Sequence, residues 1–353
     1  MARYARPPFG RHHEETMYSR FIPAVACLSI LGAAASSPAQ PPTEVRKHHN
    51  PIVDLLEQKK PVFGLYAPSN RRFSPPGAPA PSPLPPKTPL ELAKEAVANK
   101  ATDYIFDGSM EGDFEKALPE FAVFAKAMSE AGVVAKTPVL RLTHPLMVKM
   151  NEIAPDPSKA AERIGRQLDL GVSGVVFVDV QSADEVKAGL AAMRFKSKGG
   201  TRAEGVGTAP AFWGMSEKDY RDKADVWPLN PKGELVNFTI VESKQGLARV
   251  REIAAVPGIG VLFPGAGTLR GVFTSTNDKG ERVVDTVAWE AAIQSVLAAC
   301  KEFKVPCGYP ARAEDIEMRM KQGFSVFVIG WGENGFKTIE IGRRVSGRVA
   351  TNP

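Results

Sequence analysis

Eight short, continuously apolar runs begin near residues 62, 104, 138, 174, 236, 259, 305 and 325, and amphipathic stretches of helical period separate most of them. A strand apolar at every position is buried on both faces, and strands joined through helices lie parallel. Eight such units over about 290 residues predict a (β/α)₈ TIM barrel. A doubly wound open sheet is the alternative, but no Gly-x-Gly-x-x-Gly follows the first run. The helices are expected over 89–99, 113–131, 158–169, 183–194, 248–255, 285–304, 312–322 and from about Glu333, with Gly132 and Gly171 as stops and Ser182 as a cap. A Gly- and Pro-rich connection spans 195–234.

The runs that carry chemistry are those that end on polar residues, because the strand ends of a parallel barrel face one mouth. The stretch 236–271 is the clearest. Its first run ends on Glu242, and its second, Ile259–Phe263, enters the glycine-rich turn Pro264-Gly-Ala-Gly-Thr268. The other ends offer Asp107, Arg141, His144, Asp179, Trp331 and Glu333. Arg141 closes Val139-Leu140-Arg141, where a guanidinium can clamp a carboxylate or an enolate oxygen. Glu242 offers an oxygen ligand to a hard divalent cation. His144, the only histidine after residue 50, is an acid/base candidate.

The flanks read differently. Met17-Tyr-Ser-Arg, the apolar stretch 21–35 and Ser37-Pro-Ala39 have the form of a cleaved signal peptide, too short to span a membrane. Residues 1–39 are therefore expected to be lost on export to the periplasm or beyond, with a flexible linker over 40–60 and the barrel over 61–347. His12–His13 and His48–His49 fall in these outer segments and are not expected to be ligands. Nine prolines crowd 68–89, which predicts an irregular insertion beside the mouth. The formal charge is +6; without residues 1–39, which hold four Arg and two Glu, it is 6 − 4 + 2 = +4. Such a mild excess, with no basic cluster and no interleaved aromatics, disfavours nucleic acid. Cys27, Cys300 and Cys307 form no Cys-x-x-Cys pair. The last two read as core thiols, with a bridge between them as the alternative in an oxidising compartment.

The run Gln167-Leu-Asp-Leu-Gly-Val-Ser-Gly-Val-Val-Phe-Val-Asp-Val-Gln-Ser-Ala-Asp-Glu-Val, then Gly199-Gly-Thr-Arg202, Asn237–Gly246 and Ile253-Ala-Ala-Val-Pro-Gly, resembles the HpcH/HpaI aldolase and citrate lyase family over about residues 60–345. The resemblance implies a pyruvate-type (β/α)₈ barrel, usually a homo-oligomer. It further implies cleavage or formation of C–C bonds beside a 2-oxo acid, with an enolate held on Mg²⁺ or Mn²⁺. Within it, Arg141 matches the enolate-stabilising arginine, Glu242 the first metal carboxylate, and Gly265 and Ala266 the loop whose N–H groups hold the substrate carboxylate. Two positions depart from the family. Thr268 stands where its second metal carboxylate belongs, which weakens or abolishes the metal site. Ser109 and Met110, in Asp107-Gly-Ser-Met-Glu111, replace its Glu and catalytic His. His144 or Glu111 would then supply the base. The expectation is a carbon–carbon lyase on a small 2-oxo acid or carboxylate; the alternative is a barrel that binds such a carboxylate without catalysis.

Overall fold

The apolar runs become parallel strands. The structure, a computed structural model, describes residues 47–70 and 85–348, within a unit that begins at Arg46. In chain order the strands are β1 (Val62–Tyr66), β2 (Tyr104–Asp107), β3 (Leu146–Lys149), β4 (Gly174–Phe177), β5 (Leu235–Val241), β6 (Val261–Pro264), β7 (Gly308–Tyr309) and β8 (Val326–Ile329). β1 to β6 pair successively in parallel, β8 pairs with both β7 and β1, and the bridge Leu262↔Cys307 joins β6 to β7. The sheet thus curls until its ends meet, as expected for a (β/α)₈ barrel.

Strand parity sorts the side chains into two layers. Val62, Tyr104, Phe106, Met147, Val176, Val236, Phe238, Val261, Phe263, Val326 and Val328 form one buried cluster, the barrel interior. Their alternating neighbours, such as Phe63, Ile105, Val148, Val175 and Phe327, pack with the surrounding helices in a second cluster. Parity therefore also aims the residues that follow each strand: 147 points inward, so 149 does too, and 240 carries 242 inward in the same way.

The third strand is a correction. It was expected at Pro138–Leu142, but β3 begins at Leu146, with Ile105↔Leu146 and Met147↔Gly174 in register. The earlier run instead supplies Arg141–Leu142 to a short antiparallel pair with Val134–Ala135. Its apolar character is only partial in space, since Val139 is 54% exposed. Both runs are short and apolar, and only the second can pair with two barrel strands at once.

The expected linker through residue 60 is corrected as well. Pro51–Glu57 is a helix capped by Asn50, and its Ile52, Val53, Leu55 and Leu56 join the barrel-interior cluster. They close the end of the barrel where the strands begin. His48 and His49, expected in a flexible part, are both buried there. Glu234, just before β5, holds this segment. Its carboxylate accepts the N–H groups of His49 (3.0 Å) and Asn50 (2.9 Å), and His48 Nδ1 lies 3.3 Å from it. The signal-peptide segment 1–39 and most of the proline-rich insertion, 71–84, lie outside the described residues.

Cys300 and Cys307, expected as separate core thiols, form a disulfide across the turn between helix Thr286–Phe303 and β7, with Cα atoms 5.6 Å apart. Closing a loop this short restricts the unfolded chain by about 2–3 kcal/mol in the chain-entropy treatment. Reduction, or Cys300→Ser, should lower the unfolding free energy by that amount. A denaturant midpoint unchanged on adding reductant would refute the bridge.

Candidate active site

At the C-terminal ends of the strands two neighbouring cavities open. The inner one, about 210 Å³, has apolar walls from Phe106, Val176, Phe238, Ile240, Phe263 and Val328 and a polar rim from Tyr66, Lys149, Glu242 and the 265–268 turn. The outer one, about 690 Å³, is lined by Glu111, Asn151, Lys159, Arg163, Asp179, Glu242 and Thr268 among others. Glu242 and Thr268 border both, so the two form one mouth.

Lys149 ends β3 and, by parity, points into the barrel. Its Nζ donates to both carboxylate oxygens of Glu111, each at 2.8 Å, and its carbonyl accepts from Gln167 Nε2 at 3.0 Å. Glu111 lies in the turn Ser109–Glu111 after β2, and Asn151 Nδ2 fastens that turn through the carbonyls of Glu111 (2.8 Å) and Gly112 (2.7 Å). Arg163 in turn donates to Asn151 Oδ1 at 2.8 Å. The cation and its carboxylate are therefore held from both sides. Met110 is fully buried with its sulfur 3.6 Å from Gln167 Nε2, so it packs as core and moves no proton.

Glu242, only 7% exposed, accepts the Asp179 N–H at 3.1 Å. Asp179 follows β4 with φ +42°, a left-handed backbone that carries its N–H toward the neighbouring strand end. Its Oδ2 accepts from Gln181 at 2.9 Å, while its buried Oδ1 accepts no hydrogen bond. Gly265 packs directly on Glu242: a Cβ there would fall 2.3 Å from Glu242 Cβ and 2.4 Å from Oε2. Only glycine lets the 265–268 turn approach the carboxylate this closely. Tyr66, at the rim, has its phenol pushed up to about 12 by burial and by the charges of Glu111, Asp107 and Glu242, so it stays protonated as a donor.

The structure thus brings Glu111, Glu242, Gly265, Ala266 and Thr268 to one mouth. It does not bring Arg141 or His144 there. Arg141 sits at the opposite end of the barrel, on the strand whose Leu142 N–H donates to His49 and beside Leu140, whose carbonyl lies 3.3 Å from His49 Nδ1. His144 precedes β3, is 2% exposed, and lies 3.0 Å from the Asn99 carbonyl and 2.9 Å from Thr143 Oγ1. Burial lowers its pKa and outweighs the Asn99 bond. Both expectations shared one cause, the misplaced third strand. Lys149 was the residue missed, although Leu146-Met-Val-Lys149 ends an apolar run on a charge just as Ile240-Val-Glu242 does.

A divalent ion needs oxygen donors here. Glu242, Asp179 and Thr268 border one cavity and offer carboxylate and hydroxyl oxygens, a hard-donor set of the right chemistry. It falls short of a closed protein cage, since no group of three or more His, Cys, Asp or Glu side chains clusters among the described residues.

A family model described as HpcH/HpaI aldolase/citrate lyase matches residues 94–337. A hydroxypyruvate/pyruvate aldolase of Paraburkholderia phytofirmans is 23% identical over 267 residues, covering 73% of this chain and 82% of that protein. A hydroxypyruvate/pyruvate aldolase of Sagittula stellata is 27% identical over 156 residues, covering 44% of this chain and 56% of that one. In fold, a HpcH/HpaI aldolase/citrate lyase family protein from Burkholderia cenocepacia superposes with a TM-score of 0.58 at 21% identity, over 84% of this chain and 97% of its own.

Proposed function

The chain belongs to the HpcH/HpaI aldolase/citrate lyase family, and we propose that it is a carbon–carbon lyase that breaks or forms the C3–C4 bond of a small 2-oxo acid, the bond one carbon removed from its carbonyl. The observation that carries this reading is the Lys149–Glu111 pair set beside Glu242 and Thr268 at the barrel mouth. Cleavage of that bond leaves a carbanion on the carbon beside the carbonyl, whose charge spreads onto oxygen, and a fixed cation at that oxygen lowers the barrier. Lys149 replaces Arg141 in this role. Glu111 is the group placed to take and return the proton. Lys159 and Arg163, on the outer cavity wall, supply positive charge for the carboxylate of an acidic substrate.

Glu242, Asp179 and Thr268 would hold a divalent ion, which when bound supplies positive charge at the substrate's carbonyl and carboxylate oxygens. The neutral Thr268 makes that binding weak. Thr268→Asp, which restores a hard anionic ligand, should tighten Mn²⁺ binding on the order of tenfold, and adding Glu242→Gln should reverse the gain. Calorimetric titration reads both; an unchanged affinity in Thr268→Asp would remove the metal from the proposal.

Two observations favour the second reading, a carboxylate binder without turnover: Met110 is packed as core and Thr268 is neutral. Protein-dependent exchange of the pyruvate methyl hydrogens in heavy water separates the two, since exchange requires proton abstraction and binding alone does not. The Cys300–Cys307 bridge, together with the signal-like residues 1–39, supports export to an oxidising compartment. Family membership supports a homo-oligomer.

A further inference from the structure

We propose that Lys149 forms an imine with the carbonyl carbon of the 2-oxo acid, so that the electron sink of the reaction is covalent and carried by the protein. This rests on the lyase reading above and specifies its chemistry. A guanidinium at the end of β3 stabilises charge and can do nothing more, because it does not lose its proton. A primary amine can also add to a carbonyl. Lys149 is placed for this. It points inward on β3, its side chain is only 15% exposed, and it borders a small cavity whose other walls are largely apolar. Apolar walls beside the amine favour dehydration of the adduct. Glu111 touches the same nitrogen with both oxygens and is the more exposed partner, at 42%, so it can exchange its proton with substrate and water.

The protons and electrons balance with these two residues. Lys149 yields a proton to Glu111, and the free amine adds to C2 of the 2-oxo acid to give a carbinolamine. Glu111 protonates the carbinolamine hydroxyl, water leaves, and an iminium and the Glu111 carboxylate remain. The carboxylate takes the proton of a C4 hydroxyl. The C3–C4 bond then breaks, its pair enters the iminium to give an enamine, and an aldehyde departs. Protonated Glu111 delivers its proton to C3, and water releases the shorter 2-oxo acid with Lys149 and Glu111 restored. No oxidant or reductant takes part. The chemistry selects 4-hydroxy-2-oxo acids as substrates and pyruvate as the three-carbon product.

The test uses the full-length protein, treated with a chelator, and pyruvate as the probe. Incubation with pyruvate and borohydride, followed by peptide mass mapping, should find one reduced pyruvate adduct on Lys149. Lys149→Arg, which keeps the ion pair with Glu111, should lose it. Glu111→Gln should slow its appearance at least tenfold. Methyl-hydrogen exchange of pyruvate is followed in parallel. Exchange without an adduct on Lys149, or an adduct spread over surface lysines, would overturn the imine and leave the lyase reading standing. Neither adduct nor exchange, the latter measured also with Mn²⁺ restored, would overturn both.

Discussion

Lys149→Met should lower turnover of a 4-hydroxy-2-oxo acid by on the order of 10²–10³-fold, while Arg141→Ala should change it less than about threefold. The first figure is the usual cost of removing one preorganised donor from a developing oxyanion, and it holds whether the amine acts by charge or by covalent addition. Methionine nearly preserves the length of the side chain and its packing against the inner cavity, so the loss would report the cation and not a collapsed wall. It leaves Glu111 without its partner, but Glu111 is 42% exposed and water can solvate it. Arg141 is the counterpart because the linear sequence offers it for the same role. It stands at the end of the barrel where the strands begin, next to His49, and it lines neither cavity of the mouth. Steady-state kinetics on the two variants decides between the positions. A severe loss in Arg141→Ala with Lys149→Met active would mean that the third strand of the working enzyme is the earlier apolar run.

That exchange of roles marks how far the sequence can be read. Periodicity located seven of the eight strands within about three residues, because runs such as Val62–Tyr66 and Val326–Ile329 are buried on both faces and admit no polar residue. It failed where two apolar runs compete. Val139-Leu140-Arg141 and Leu146-Met-Val-Lys149 both end on a cation, and both follow a proline. What separates them is pairing with Ile105 on one side and Gly174 on the other, a property of distant segments. Glu242 and the 265–268 turn were legible because a single βα unit carries them. The approach of Gly265 to Glu242 also has a local mark, a glycine directly after the strand. The Lys149–Glu111 pair joins residues from two units, and the sequence contains nothing that pairs them. At the other end of the barrel, Asn50-Pro51 does announce a helix start with its cap. The burial of His48 and His49 depends on Glu234, which is more than 180 positions away.

Glu234→Ala should destabilise the protein by about 3–5 kcal/mol, the range for removing one partner of a buried charged network. The residue is 1% exposed and accepts two backbone N–H groups, and its own carbonyl receives Asn50 Nδ2 at 2.9 Å. Alanine would leave two buried donors unpaired and release the segment that seals the barrel floor. Equilibrium denaturation measures this; a loss below about 1 kcal/mol would mean that the floor is held by Ile52, Val53, Leu55 and Leu56 alone. The contact also imposes a pH dependence. Burial opposes charge on His48, but the hydrogen bond and charge of Glu234, with Glu57 and Asp54, outweigh it and raise its pKa. The stability that His48 contributes is therefore fully present below its unfolded value, near 6.5, and is lost as pH rises through the folded value. His49 and His144 work in the opposite sense. Burial lowers both, so their contribution is present above the unfolded value and falls away as pH drops through the folded one. The three partly cancel in the native protein, and a flat profile there would be uninformative. The difference between native protein and His48→Gln isolates the one residue: it should be largest in mild acid and shrink steadily toward pH 8. A difference that grows with pH would show that His48 sits neutral beside Glu234, and would assign the hold on the segment to the backbone donors.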